Sequence, residues 1–395
     1  IHNAIVWQDR RTANACNELR DAGHESEIHR TTGLLLDPYF SATKMRWMLD
    51  NIAEVRDAAA SGRLAFGTIE SWLVAKLSGG DHVSDASNAS RTLLLPLGEA
   101  GFSQHLCDLF GVPFEALPRV VDTHGVLAHA DITVLGREIP ICGLVGDQQA
   151  ATIGQGCLSE GETKATYGTG AFILANHGPQ IPHSEHRLLS TVLTQIDGQR
   201  TYAIEGSVFV AGSLIQWLRD SLGLIADAAE TGPLARSIES SGEVVIVPAL
   251  AGLGAPHWRA EARGVITGLS FASGKAQIVR AALESMAYQT HDLAAAYAKD
   301  GAKWECLRID GGMSANNWLA QDIADILNLP VERPKFVETT ALGAAVAAAT
   351  GIGWFDDLQS AIDSMRGEMD RFEPRMDETV RSERLARWAK ALAAA

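Results

Sequence analysis

The chain has 395 residues, 46% of them hydrophobic and 21% charged, with a formal net charge of −15. That length exceeds one ordinary core and predicts two domains of roughly 150–250 residues, while the acidic balance argues against a nucleic-acid or anionic-membrane surface, each of which needs a basic face. No run of about eighteen apolar residues is free of charges or glycine breaks, so no membrane span is expected, and five cysteines scattered without CxxC spacing fit reduced cytosolic thiols rather than a disulfide framework or a zinc site.

The opening Ile1-His2-Asn3-Ala4-Ile5-Val6-Trp7 has no initiator Met, no basic leader and no signal-peptide pattern. It reads as the interior of a β-strand, with the strand over 4–7, and an upstream segment is therefore expected to be missing. Helices are predicted over 12–22, 42–51 and 68–76; the second follows the turn signal Asp37-Pro38 and sets Met45, Met48 and Leu49 on one side. Ile139, Ile141, Leu144 and Val145 read as a short buried strand. Gly146 then lets the chain turn close to a ligand, and Asp147 emerges at the strand's carboxyl end.

Around 154–161 the composition turns to Gly, Ser and Glu, which puts the domain boundary there and divides the chain into 1–156 and 157–395. Strands follow over 163–167, 171–175, 188–193 and 201–204, then a helix over 209–222, a strand over 244–248 and a long helix over 276–298. A strand over 306–309, a Gly311-Gly312 turn and a helix over 316–327 come next, with Ser314 as the expected N-cap. The Ala- and Gly-rich stretch 340–355 reads as a tightly packed helix and turn. No short-period repeat is present, which sets aside solenoid and coiled-coil readings.

Two stretches carry chemistry. Asp147 at a strand exit, followed by Tyr167-Gly168-Thr169-Gly170, pairs a base with a glycine-flanked turn whose N–H groups and hydroxyl suit an anionic oxygen. The glycines of Asp310-Gly311-Gly312 let the main chain approach a flat ligand ahead of a helix, although neither GxGxxG nor GxxxxGK[ST] occurs in the required setting.

Collinear segments make the chain similar to the FGGY carbohydrate kinases: NAIVWQDRRT (3–12), TGLLLDPYFSATKMRWMLDN (32–51), NASRTLL (88–94), GDQQAA (146–151), YGTGAFIL (167–174), YAIEGSVFVAGSLIQWLRD (202–220), VPALAGLGAPHW (247–258), RGVITGL (263–269), ALESMAYQT (282–290), DGGMSANN (310–317) and TALGAA (340–345). Both family signatures occur in order, Tyr39-x-Ser41-x-x-Lys44 leading to Trp47, and Gly264-x-Ile266-x-Gly268-Leu269 leading to 281–284. VWQDRRT, DPYFSATK and EGSVFVAG look most like the branch that acts on glycerol, rather than those acting on xylulose, ribulose or gluconate.

The resemblance implies an α/β fold of the actin-like, ribonuclease-H-like ATPase type, with two domains around a cleft and the first N-terminal strands missing. It assigns 1–156 to the polyol site and catalytic Asp and 157–395 to nucleotide binding. It also implies transfer of the ATP γ-phosphoryl group to a primary hydroxyl of glycerol or a similar polyol, giving sn-glycerol 3-phosphate, with Mg²⁺ as cofactor, in a cytoplasmic homo-oligomer (dimer or tetramer). By position Asp147 matches the family's general base and Gln148 a residue that hydrogen-bonds the polyol. Trp7 and Phe172 match apolar walls against its carbon skeleton, and Tyr39 matches a further hydroxyl contact. Thr169 matches a phosphate ligand; Gly212, Gln216, Gly312 and Asn316 match the nucleotide site. No residue is assigned to the metal. Read without the family, Trp7 and Phe172 suit core aromatics, Tyr39 suits turn packing beside Asp37-Pro38, and Gln216 suits a buried, satisfied amide.

Two departures accompany the match. Family members carry, ahead of NAIVWQ, a DxGTxS hairpin and an Arg-Glu pair that grips the polyol, and a polypeptide truly starting at Ile1 is expected not to transfer phosphate. At 135–140 the sequence reads Leu-Gly-Arg-Glu-Ile-Pro where some relatives place a GGTR loop for an inhibitory sugar bisphosphate, so that inhibition is not expected. The alternatives to the glycerol reading are a kinase for another polyol or sugar of the family, or an inactive fragment that binds nucleotide.

Overall fold

A seven-stranded mixed sheet organises the second half of the chain in a computed structural model that describes residues 2–259 and 261–395. Its order is Met369–Phe372, Val331–Pro334, Leu307–Asp310, Thr163–Tyr167, Ala171–Gly178, Gln199–Val208, Leu189–Ile196. Leu307–Asp310 runs parallel to both of its neighbours, and every other pair is antiparallel. The period-2 alternation in Thr163–Tyr167 sends Ala165 and Tyr167 into the main core, leaving Lys164 and Thr166 hydrogen-bonded to each other on the opposite face. Helices Gly212–Asp220, Lys275–Lys299 and Asn317–Leu327 close that core with Trp388 of Glu378–Leu392.

The first half is mainly helical: Ala13–Asp21, Glu25–Thr32, Ser41–Asn51, Ala53–Ala60, Ile69–Ser78 and Gln104–Phe110. Ile28, Leu34, Leu36, Phe40, Met45 and Leu93 anchor a second core among them. Its strands form only short pairs, Val83–Asp85 parallel to Arg119–Val121 and His124–Ala130 antiparallel to Ile139–Gly143. The sheet's edge strand docks this half onto the second. Ser190 N–H donates to Gly33 O at 2.9 Å and Thr123 N–H to Gln195 O at 2.8 Å, while Gln149 Nε2 donates to Thr191 Oγ1 at 3.0 Å.

Helices Asp147–Gly154 and Thr339–Gly351 also cross at small residues. A Cβ on Gly154 would overlap Thr339 O, and one on Gly343 would overlap Ala150 O. Asp310 Oδ2 fastens this crossing to the sheet by accepting from Gln155 Nε2 at 2.9 Å and from Thr339 Oγ1.

Several expectations are corrected. The stretch 4–7 forms no strand, because no described strand pairs with it, and Val6 and Trp7 are 58% and 43% exposed; Ile1 lies outside the described residues. The strand before Asp147 is Ile139–Gly143 and is mostly half-buried. Asp147 opens a helix, Asp147–Gly154, before the hairpin is reached. Ser314 is no N-cap: it sits inside the 3₁₀ turn Gly312–Ala315 and donates to Gly311 O at 2.7 Å. The cap is Asn316, whose Oδ1 accepts from Trp318 N–H at 3.0 Å and Leu319 N–H at 3.4 Å.

Candidate active site

A cavity of about 620 Å³ opens between the two halves, walled by Trp7, Tyr39 and Phe40 from the first and by Phe172, Phe209 and Trp258 from the second. Trp7 meets Tyr39 edge to face at 5.6 Å between centroids and 83°, and Phe172 at 5.9 Å and 84°. The three aromatic contacts expected for a polyol are thus one cluster. Its exposure rules Trp7 out as a core aromatic, whereas the turn reading of Tyr39 holds alongside its place in the cavity. Asp37 Oδ1 accepts from Tyr39 N–H at 2.8 Å and also pairs with Arg10. Phe172 is set by hairpin register, opposite Thr166 on one strand and Ser207 on the other.

Behind Tyr39 lies a charge pair that was not singled out from sequence. The Arg91 guanidinium stands 5.7 Å from the Tyr39 ring centroid and 2.9 Å from a carboxylate oxygen of Glu205, a fully buried residue contributed by the sheet. Burial first, and then the Glu205 charge, push the Tyr39 phenol up to about 12 against the pull of Arg91. Tyr39 is therefore a neutral hydroxyl donor at physiological pH. The readable signal was a Glu inside an apolar strand at 202–208 and an Arg inside NASRTLL, since such charges are retained only with partners.

Asp147 and Gln148 do not line this cavity; the Asp147 charge reaches Tyr39, which does, and Lys164. Asp147 is exposed at the first position of the helix Asp147–Gly154. Its Oδ1 accepts from Gln148 N–H at 2.7 Å, and its Oδ2 has no protein partner among the described residues. An exposed carboxylate with a free oxygen can accept a proton from a bound hydroxyl. Gln148 Oε1 accepts from Lys164 Nζ at 2.5 Å.

Glycine-rich loops from distant parts of the chain meet at the hairpin turn 168–170. Gly168 O accepts from Gly212 N–H at 2.9 Å, and Thr169 O accepts from Ala211 N–H at 2.9 Å and from Ser213 Oγ at 2.9 Å, which fixes the hairpin to the start of helix Gly212–Asp220. A Cβ on Gly212 would sit 2.5 Å from Gly168 O, so this approach requires glycine. Gly311, at φ +84°, brings the second turn against Tyr167, where a Cβ would lie 2.6 Å from its carbonyl oxygen. The Thr169 hydroxyl is exposed and has no protein partner among the described residues, and Gly312 is exposed with open space around it. Gln216 is exposed too, which removes the buried-amide reading. Asn316 is half-buried and spends its side chain on the helix cap and on Thr231.

Among the described residues no three His, Cys, Asp or Glu side chains form a metal-holding group. A magnesium ion carried by nucleotide phosphates needs only one or two protein carboxylates. Asp147, exposed, and Asp310, whose buried Oδ1 has no partner among the described residues, supply that donor type.

Comparison with known proteins agrees with this architecture. Residues 1–154 match the N-terminal domain, and residues 163–352 the C-terminal domain, of the FGGY family of carbohydrate kinases. Glycerol kinase of Rhodospirillum centenum is 50% identical over 393 residues, covering 99% of this chain and 79% of that protein. That of Ectopseudomonas mendocina is 50% identical over 394 residues, with 99% and 79% covered. Plasmodium falciparum glycerol kinase, solved with ADP, superposes with a TM-score of 0.93 at 34% identity, covering 100% of this chain and 79% of that one. A xylulose kinase from Lactobacillus acidophilus, at 23% identity and a TM-score of 0.82, with 100% and 78% covered, shares the fold. The fold is that of the actin-like ATPases, and the chain belongs to the FGGY family of carbohydrate kinases.

Proposed function

We propose that this protein transfers the γ-phosphoryl group of ATP to a primary hydroxyl of glycerol, giving sn-glycerol 3-phosphate. The observation that carries the reading is identity of about half, over nearly the whole chain, to glycerol kinases. The aromatic cluster supports it: Trp7 and Phe172 offer faces to a three-carbon skeleton, and Tyr39, held neutral, offers a hydroxyl donor. Asp147 is the general base that takes the proton of the attacking hydroxyl, and Gln148 hydrogen-bonds the polyol. Thr169 binds the transferred phosphate. Gly212, Gln216 and Gly312 line the nucleotide, with Asn316 holding the turn beneath it. Asp147 and Asp310 are the carboxylates of the type that would hold a magnesium ion brought with ATP, which would supply neutralisation of phosphate charge.

We assign the polyol half to 1–156 and the nucleotide half to 157–395, on the support of the sheet that starts at Thr163. Five unpaired cysteines fit work in a reducing cytoplasm, and no described helix is long and apolar enough to cross a membrane. A homo-oligomer, dimer or tetramer, belongs to the same reading, and light scattering measures it directly.

The test is ADP release from Mg-ATP across a panel of glycerol, xylulose, ribulose and gluconate, beside Asp147→Asn. Glycerol-dependent turnover, with kcat lowered by about a hundredfold or more in Asp147→Asn, is expected. Faster turnover of a longer sugar would overturn the substrate, and full activity in Asp147→Asn would overturn the base.

A further inference from the structure

Lys164 is wholly buried, yet it forms no ion pair among the described residues. Its Nζ donates to Gln148 Oε1 at 2.5 Å and to Thr166 Oγ1 at 3.0 Å. An ammonium buried against two neutral oxygens is costly, and a methionine of similar length would fill the same space without that cost. Burial lowers the Lys164 pKa, while the charges of Asp310, Asp147 and Glu205 oppose that fall. Buried lysines of this kind concentrate where a site needs them.

What Lys164 does to Gln148 follows from donor and acceptor chemistry. An ammonium donates only, so it selects the carbonyl oxygen of the Gln148 carboxamide. The NH₂ group must then face the other way. Gln148 Nε2 has no protein partner among the described residues, and the side chain is half-buried beside the exposed carboxylate of Asp147.

We propose that Lys164 is a positioning residue that locks the Gln148 carboxamide so that it presents only N–H donors to the polyol. The inference rests on the reading that Gln148 meets the polyol. Its consequence is a rule of specificity. A hydroxyl at that position accepts from Gln148 and keeps its own proton free to donate elsewhere. An ammonium there has no lone pair to accept with, and a deoxy carbon leaves the donor unpaired.

The test compares Lys164→Met, Gln148→Ala and the double variant, with glycerol, 1,2-propanediol, 1,3-propanediol and 3-amino-1,2-propanediol as substrates. Lys164→Met is expected to raise the glycerol KM about tenfold with kcat within about twofold and the ATP KM unchanged. Its preference for glycerol over the deoxy and amino analogues should narrow, because a freed carboxamide can turn its oxygen toward the site. Gln148→Ala should raise the glycerol KM as well, and adding Lys164→Met to it should change little further, since both act through one contact.

A raised KM in Gln148→Ala with glycerol KM and analogue preference intact in Lys164→Met would overturn the role of Lys164 alone. An unchanged glycerol KM in Gln148→Ala would overturn the polyol reading of Gln148 and the inference with it. A shift in ATP KM instead of glycerol KM would place Lys164 on the nucleotide and also overturn the proposal. Should Lys164→Met not fold, Gln148→Glu reads the same relationship: it gives Lys164 a counter-ion and removes the donor. Melting temperature should then hold or rise while glycerol KM rises, and an unchanged glycerol KM would count against the proposal.

Discussion

Ser87 holds the turn that presents Asp147, for its Oγ accepts from the backbone N–H of Gly146 at 2.8 Å. The same hydroxyl donates to the buried carboxylate Asp85 at 2.6 Å, so the loop ahead of the proposed base hangs from a capped helical turn in a different part of the chain. Ser87→Ala leaves the buried Gly146 N–H without its partner and takes one of two bonds from Asp85 Oδ2, which keeps the Ser87 N–H at 2.8 Å. The expected loss is about 1–3 kcal/mol, read as a lower melting temperature. Glycerol-dependent kcat should fall with it, because Gly146 precedes Asp147 directly. Unaltered melting and turnover would show that the turn is held by other contacts.

Asp85 gives a pH prediction with a definite sign. Burial is the largest influence, and together with the charge of Glu70 it raises this carboxyl to about 6, while bonds from Ser87 and Asn88 pull the other way. A carboxyl whose folded pKa lies above its unfolded value binds its proton more tightly in the native state. Its contribution to stability is therefore present below the ordinary value of 3.8 and is lost as pH rises through about 6. The size of that contribution is about 3 kcal/mol. Chemical denaturation from pH 4 to pH 7, in the wild type and in Asp85→Asn, should show a downward trend in the wild type that the variant lacks. Parallel profiles would remove Asp85 as its source.

Much of the second half was legible from sequence because its elements are regular and fully packed. The strand Thr163–Tyr167 was predicted with its observed bounds, and the helix Lys275–Lys299 to within one residue at each end, since apolar periodicity and turn glycines mark them without help from tertiary contacts. The stretch 4–7 differs for the complementary reason: an apolar run reads as a strand from its own residues, and no described strand pairs with it. The helix at Asp147–Gly154 was hidden because Gln148, Gln149 and Thr152 give it no apolar stripe. Its packing comes from a close crossing at Gly154 and Gly343, which periodicity does not register. The aromatic cluster was legible through family likeness alone. Arg91, Glu205 and Lys164 were passed over because a charge's meaning depends on what folding sets against it, and Glu205 meets Arg91 across 114 positions.

That crossing yields a steric prediction. In Gly343→Ala the new methyl overlaps Ala150 O, a backbone atom inside a helix that cannot rotate away. The helices Asp147–Gly154 and Thr339–Gly351 must separate or shift, at about 1–3 kcal/mol. Because Asp147 opens one of these helices, glycerol turnover should fall more than the loss of folded protein accounts for. Circular dichroism melts and kcat per folded molecule measure the two effects separately. An alanine variant with native melting and kcat would mean that the helices slide freely at this contact.

Arg384 links the C-terminal helix Glu378–Leu392 to the core through buried charges, which makes it the place to separate stability from chemistry. Its guanidinium donates to Asp322 at 2.6 and 3.0 Å and to Tyr288 Oη at 2.9 Å, with Glu284 at 3.5 Å. Tyr288 in turn stacks on Trp388 at 5.4 Å and 26°. Asp322→Ala leaves the guanidinium with less than its full counter-charge inside the protein, an expected cost of about 3–5 kcal/mol. Replacing both members by apolar residues of similar volume, Asp322→Leu with Arg384→Met, should recover a large part of that loss, since a buried pair is expensive to desolvate even when intact. None of these groups lines the aromatic cavity, so glycerol KM should stay unchanged in every variant at temperatures where the protein is folded. Urea denaturation supplies the stabilities and initial rates supply KM. A double variant no more stable than Asp322→Ala would show that geometry specific to the ion pair, rather than cancellation of charge, holds the terminal helix in place.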